Sequence, residues 1–211
     1  ESFFMNMNFS KPVNDFLKRI FDLLVSFFAI ILLSPFFIIV SLLIKMDSKG
    51  PVIFKQVRVG KNEKPFEIYK FRTMVVDAEK LGKQITVGND NRITKIGGFL
   101  RKFKLDELPQ LFNVFKGDMS FVGPRPEVPK YTNLYTEEQK KVFKVRPGIT
   151  DYASIKYRNE NEILGKSKNP QKTYIEKVMK DKLTINLTYL QKRSVIEDFK
   201  IILLTLVKIL K

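Results

Sequence analysis

Leu23-Leu24-Val25-Ser26-Phe27-Phe28-Ala29-Ile30-Ile31-Leu32-Leu33-Ser34-Pro35-Phe36-Phe37-Ile38-Ile39-Val40-Ser41-Leu42-Leu43-Ile44 is a run of 22 residues without a charge. At about 1.5 Å of rise per residue, a straight helix of that length just crosses a hydrocarbon core of roughly 30 Å. Pro35 opposes a straight helix. It has no N–H for the Ile31 carbonyl, and its ring crowds that turn. The freed carbonyl needs a partner in lipid, and the Ser34 hydroxyl, back-bonding toward Ile30, is a candidate. Lys11, Lys18 and Arg19 precede the run, while Lys45, Lys49, Lys55 and Arg58 follow it. A simple span would carry one positive cluster to the outer side, against the positive-inside tendency. A helix that breaks at Ser34-Pro35 and returns to the same face keeps both clusters in the cytoplasm. That re-entrant arrangement is the expectation, and a kinked single span is the alternative. A cleaved signal peptide is not expected, because the run is too long and no small-residue cleavage site follows it.

The chain has 211 residues, enough for one domain beyond the membrane segment, so residues 1–46 read as a basic lead-in plus membrane helix and residues 47–211 as a cytosolic domain. It contains no cysteine, which excludes disulfides, thiolate nucleophiles and cysteine metal sites. It also contains no histidine, so carboxylates, hydroxyls, Lys and Arg must carry any chemistry. The formal net charge of +16 calls for an anionic partner: acidic lipid headgroups, a phosphorylated substrate or nucleic acid. Beside a membrane segment the first two take precedence. No zinc spacing, RNA-binding signature or DNA-reading helix points to nucleic acid, and none is expected as a partner. Much of the positive charge also reads as a solvated or lipid-facing surface.

Residues 1–20 read as a polar lead-in that becomes helical near Val13. Asp47-Ser48-Lys49-Gly50-Pro51 is turn chemistry. Val52 to Val59 and Phe66 to Met74 are β-prone runs, joined as a hairpin through a longer loop. A short helix is expected over Val75 to Leu81 and a polar loop over Thr86 to Asn91. Ile96, Phe99, Leu100 and Phe103 recur at helical spacing. A further helix is expected from Asp106 to Phe115, ending at Lys116-Gly117. Three prolines argue against regular structure over Phe121 to Pro129. Thr136, followed by Glu137, Glu138 and Gln139, is a helix start. Residues 151–193 read as polar and mixed, helical from Gln171 to Met179 and from Thr184 to Lys192. Val195 to Lys211 is strongly apolar, with Ser194, Glu197, Asp198, Thr205 and Lys208 on a narrow stripe; such a helix suits either a protein core or a membrane interface. The fold class is α+β: mostly helical, with a β-hairpin, a re-entrant N-terminal membrane helix and interfacial amphipathic helices.

Leu105-Asp106-Glu107-Leu108-Pro109-Gln110-Leu111 holds the candidate chemistry. Pro109 is harmless only in the first turn of a helix, which puts Asp106 at or next to the N-cap. Free N–H groups and the helix dipole would favour a carboxylate or a bound phosphate there. The heptapeptide alone also reads as an ordinary capping Asp with a dipole-compensating Glu. The surrounding cations shift that balance. Gly123-Pro124-Arg125-Pro126 fixes the direction of Arg125 between two prolines, which suits bidentate phosphate binding. Arg146-Pro147-Gly148 repeats the device, Lys70 and Arg72 share side-chain parity on the second hairpin strand, and Arg101 lies five residues before Asp106. Each singly reads as a surface charge; together, beside a membrane, they suggest phosphoryl chemistry.

These pieces resemble the bacterial sugar transferase family, the monotopic phosphoglycosyl transferases that act on polyprenol phosphate. The resemblance runs from Lys18 to Lys208 and rests on Lys18 to Asp22, Ser34-Pro35, Tyr69 to Met74, Leu105 to Asn113, Lys116 to Ser120, Phe121 to Pro126 and Val145 to Thr150. It implies a minimal catalytic unit whose membrane helix re-enters at Ser34-Pro35, located on the cytoplasmic face of the bacterial inner membrane. It further implies that Asp106 attacks the β-phosphorus of a UDP-sugar, an N-acetylated amino sugar, and expels UMP. Polyprenol phosphate would then take the sugar phosphate from the aspartyl intermediate. Mg²⁺ held partly by Glu107 is implied, with Lys70, Arg72, Arg101, Arg125 and Arg146 as candidate phosphate binders. Thr150 to Ile155 departs from the Thr-Gly-Trp pattern of many members, so sugar preference does not carry over. A non-catalytic basic scaffold binding acidic lipid is the alternative from another class.

Overall fold

The computed structural model describes residues 11–78 and 90–210. Helix α1 (Lys11–Asp47) is 37 residues long, about 55 Å at helical rise. Two antiparallel strands follow, β1 (Ile53–Val59) and β2 (Pro65–Phe71), in the register Ile53 opposite Phe71 and Val59 opposite Pro65. A single 3₁₀ turn, Lys61–Glu63, closes the expected hairpin. Helix α2 (Lys95–Lys102) is capped by the Thr94 hydroxyl, which accepts the Gly97 N–H. Of the helix expected over Val75 to Leu81, Val76–Ala78 form only a turn after the bridge from Met74 to Ile93, and the remainder lies outside the described residues, as does most of the Thr86 to Asn91 loop.

The long apolar helix differs from expectation at one hydrogen bond. Helix α1 runs from Lys11 to Asp47 with Ser34-Pro35 inside it. The Ser34 hydroxyl donates to the Ile31 carbonyl at 2.8 Å, not toward Ile30. Ile31 carries the carbonyl that Pro35 cannot serve, so the side chain replaces the missing backbone donor and the helix persists. One face, through Asp22, Ser26, Val40 and Ile44, is buried on the rest of the protein. The other bears exposed Leu24, Phe28, Ile31, Leu32, Ile38 and Leu42. Only 11% of its most apolar window is buried, too little for the core helix of a soluble protein.

Both halves of α1 dock on the same body. Near its start, Arg193 holds Asp15 bidentately at 2.6 and 3.0 Å, Lys18 pairs with Asp198, and Asp22 accepts the Phe121 N–H at 3.1 Å. Arg19 caps the end of helix α3 (Gln110–Lys116), donating to the Val114 and Phe115 carbonyls at 2.7 and 2.9 Å. Near its end, Val40 and Ile44 pack with Phe71 and Leu100, and Asp47 accepts the Ile96 N–H at 2.9 Å.

A second two-stranded sheet, which sequence patterning did not anticipate, pairs β3 (Ser120–Val122) in parallel with β4 (Gly148–Thr150). Three-residue strands show no periodicity, and β3 occupies the proline-rich stretch read as irregular. The crossing is tight at one glycine: a Cβ on Gly148 would sit 2.1 Å from the Gly123 nitrogen. Between these strands lie the short helix α4 (Pro129–Thr132) and a 3₁₀ helix, Gln139–Lys144, in place of the expected α-helix. Its start is as read: Thr136 and Gln139 exchange side-chain-to-backbone hydrogen bonds as a capping box.

The C-terminal part is more helical than its polar sequence suggested. Helices α5 (Tyr152–Lys156) and α6 (Glu160–Gly165) precede α7 (Pro170–Thr173), which runs through a π turn at Tyr174–Val178 into α8 (Met179–Lys192). The gap expected between Met179 and Thr184 is absent. Tyr131, Phe143, Leu164, Tyr174, Val178 and Leu183 form the core here. Helix α9 (Val195–Leu210) buries Ile201 with Val122 and Tyr189, and exposes Phe199, Leu203, Leu206 and Val207.

Candidate active site

The Asp106–Glu107 pair does not sit where helix-capping logic put it. Leu105–Glu107 form a 3₁₀ turn entered through Lys104 at φ 58°, and α3 starts only at Gln110 with Pro109 as its N-cap. Pro109 would be tolerated in the first turn of a helix begun at Asp106, yet the chain takes the tighter 3₁₀ turn first and places Pro109 at the start of α3 instead. Asp106 therefore has no helix N-terminus to stabilise its charge.

What surrounds each carboxylate differs sharply. Asp106 is 8% exposed, and its Oδ1 is buried without a hydrogen-bond partner. Burial, and then the neighbouring Glu107 charge, push its carboxyl above the ordinary Asp value; Lys70, Arg101 and Lys104 only partly oppose this. Glu107 is caged by cations. Lys70 Nζ donates to Oε1 at 2.9 Å, Arg125 donates to Oε2 at 3.1 Å and also bonds Oε1. Burial alone would raise Glu107, but Arg125 and Lys70 hold it well below the usual Glu value. The same pair raises Arg125, while burial lowers Lys70 despite Glu107. Adjacent carboxylates with pKa values driven apart are suited to different tasks.

Arg125 is fixed at its backbone as well. Its N–H donates to Asp151 Oδ2 at 3.0 Å, and Asp151 Oδ1 caps α5 by accepting from Ser154 N–H. The fully buried Asp151 was not singled out from sequence; its signal was an N-cap Asp three residues before Ser154. Lys104, unremarked before, lies beside the dyad in the same cavity.

That cavity, about 640 Å³, is lined by Lys70, Arg101, Lys104, Asp106, Glu107 and Arg125 at the dyad and extends toward α5 and α8. It suits a nucleotide-sized ligand. Burial lowers Arg101, and the Asp106 charge opposes that shift. Two sequence candidates lie elsewhere. Arg72 is 5% exposed and donates to the Ser48 and Lys49 carbonyls at 2.8 and 2.5 Å, tying down the end of α1. Arg146 donates to the Gly117 carbonyl at 2.8 Å, behind α3. Neither lines the cavity. Rigid presentation ahead of Pro147-Gly148 served a backbone contact at Arg146, not a ligand. A further buried group went unread: Arg58 pairs with Glu127 at 3.1 Å, and Tyr174 donates to the same carboxylate.

Among the described residues no cluster of three acidic side chains could hold a metal alone. Mg²⁺ needs only one or two carboxylates when substrate phosphates and water complete its shell. Glu107 uses three of about four carboxylate acceptor positions, and Asp106 carries the unpartnered oxygen, so the pair fits such a metal.

Comparison with known proteins gives the family. The family model described as "Bacterial sugar transferase" matches residues 13–211. The chain is 44% identical over 147 residues to a UDP-N-acetylgalactosamine-undecaprenyl-phosphate N-acetylgalactosaminephosphotransferase of Aeromonas hydrophila, covering 68% of the chain and 35% of the relative. It is 40% identical over 201 residues to the UDP-glucose:undecaprenyl-phosphate glucose-1-phosphate transferase of Escherichia coli, covering 93% of the chain and 40% of that protein. It is 38% identical over 194 residues to an uncharacterized sugar transferase, EpsL, of Bacillus subtilis, covering 92% and 87%. The chain thus spans well under half the length of the first two relatives and most of the third. By these matches, the chain belongs to the bacterial sugar transferase family.

Proposed function

We propose that this chain transfers a sugar 1-phosphate from a UDP-sugar to polyprenol phosphate, in two displacements through Asp106. The observation that carries this is the pair of adjacent carboxylates in opposite environments, inside a cationic cavity beside an apolar helix. A buried carboxylate whose charge is poorly compensated is the more basic of the two and the better nucleophile. An Asp106 oxygen attacks the β-phosphorus; the bond from that phosphorus to the bridging oxygen breaks, and UMP leaves with the electron pair. A phosphate oxygen of polyprenol phosphate then attacks the same phosphorus. The bond to Asp106 breaks, restoring its carboxylate and giving the polyprenol diphosphosugar.

Lys70 and Arg125 hold Glu107 ionised and fixed in direction. Arg101 and Lys104 flank Asp106 and supply positive charge for the diphosphate. Mg²⁺, bound at Glu107 and the substrate, would offset charge on the leaving phosphate. Relatives named for N-acetylgalactosamine and for glucose support a UDP-hexose donor, with an N-acetylated amino sugar as the favoured choice.

The polyprenol substrate requires a site at the bilayer. Asp15, Lys18, Arg19 and Asp22 near one end of α1 and Asp47 near the other bond the same domain, which supports both ends lying on the cytoplasmic face, with Ser34-Pro35 dipping into lipid. Bare Leu203, Leu206 and Val207 on α9 suit the same interface. A non-catalytic lipid-binding scaffold leaves the buried, unpartnered Asp106 oxygen without a use. Incubation with a panel of UDP-sugars should release UMP with at least one, and release beyond the first equivalent should depend on polyprenol phosphate. No UMP from any, with folded protein in lipid, would contradict the assignment.

A further inference from the structure

The cavity runs past the dyad to a wall formed by α5 and α8, and the protein leaves polar atoms in that wall unbonded. Ser154, on the first turn of α5, and Asn186, on α8, both line it. Asn186 is 5% exposed and its Oδ1 has no partner; the Ser154 hydroxyl, also shielded, has none either. Two charged or hydroxyl groups of the same wall are satisfied. Lys182 pairs with Glu160 at 2.7 Å, and Tyr157 donates to Asp181 at 2.7 Å. A buried polar atom without a partner costs stability, and two in one cavity wall need a reason. A ligand bearing neutral hydrogen-bonding groups supplies it. The terminal amide torsion of Asn186 is soft and roughly two-fold, so either end of the amide can turn to such a ligand.

We infer that Ser154 and Asn186 form the subsite that reads the hydroxyl and acylamino groups of the donor sugar; this rests on the transferase reading above. The link to the dyad fixes which part of the donor arrives there. Asp151 accepts from Arg125 N–H with one oxygen and from Ser154 N–H with the other, while Arg125 holds Glu107. One carboxylate thus separates the dyad from this wall. Attack on the phosphorus that bears the sugar leaves the sugar as the next group outward, whereas the uracil lies a phosphate and a ribose further away. The subsite determines specificity and takes no part in bond making.

The test compares binding of UDP, UDP-glucose, UDP-galactose, UDP-N-acetylglucosamine and UDP-N-acetylgalactosamine to the native protein in lipid, by calorimetry, with Asn186→Leu and Ser154→Ala. The native chain should bind its preferred UDP-sugar more tightly than UDP. Each variant should lose about tenfold of that preference while binding UDP as before. Equal loss for UDP and UDP-sugar, marking a uridine contact, overturns the inference, and so does unchanged sugar preference. Should Asn186→Leu fail to fold, Ser154→Ala decides alone. UMP release by the native chain is scored separately. Absence of release with an intact sugar increment sinks the transferase reading and leaves the subsite standing, whereas release with unaltered preference in the variants does the reverse.

Discussion

Glu107→Gln and Asp106→Asn are isosteric changes at adjacent residues, and the site geometry gives them opposite effects on stability. Glu107 is held below its ordinary pKa by Arg125 and Lys70, so its charge contributes stability above about pH 4.5 that disappears as pH falls through the folded value. Asp106 is raised, so its ionisation costs stability once pH passes the folded value. At neutral pH the Gln variant leaves two mostly buried cations facing a neutral amide; the side chains of Glu107, Lys70 and Arg125 are 16%, 20% and 30% exposed. Breaking a buried pair costs about 3–5 kcal/mol, and partial exposure favours the lower end, about 3 kcal/mol. For a chain of this size that lowers Tm by about 6–12 °C. Asp106→Asn instead removes a poorly compensated charge and should raise Tm by about 2–4 °C, for about 1 kcal/mol. Thermal unfolding in nanodiscs at pH 7.5, without substrate or metal, reads both. Shifts of the same sign would refute the assignment of opposed environments, and with it the division of labour.

Other outcomes follow from the same site. The acid limb of kcat/KM should lie above pH 3.8, because the nucleophilic carboxylate is lost as pH falls through the raised Asp106 value; a limb at or below 3.8 would count against Asp106. Turnover should stop in EDTA and return with Mg²⁺ or Mn²⁺, measured as UMP release, whereas full activity in chelator refutes the metal. Single cysteines at Phe9 and Asn62 should both be shielded from an impermeant thiol reagent added outside, and labelling at position 9 alone would establish a true span.

The hairpin, α2 and α9 were legible because each repeats one period over seven or more residues. The dyad and Arg125 were legible as a constellation, since their sequence context restricts the backbone. The 3₁₀ turn at Leu105–Glu107 was not, because Pro109 is tolerated in a first turn and the choice between starts depends on packing around Lys104. Arg72 and Arg146 could not be sorted from Arg125 by sequence. All three are cations in restricted backbone contexts (a strand for Arg72, prolines for the others), but the carbonyls of Ser48, Lys49 and Gly117 that claim two of them come from distant segments. Lys18 to Asp22 read as a basic flank, yet their partners Asp198, Val114 and Phe121 lie 95 or more residues away. The same distance hid the Asp151 link behind Arg125.

The covalent step is tested most directly by mixing enzyme with UDP-sugar and Mg²⁺ in the absence of polyprenol phosphate. UMP should appear at up to about one equivalent per active site and then stop, with a sugar-phosphate adduct on the peptide containing Asp106 and none in Asp106→Asn. UMP that appears only when both substrates are present, without an adduct, would contradict a covalent intermediate; an adduct in the Asn variant, checked for deamidation, would move the nucleophile away from Asp106.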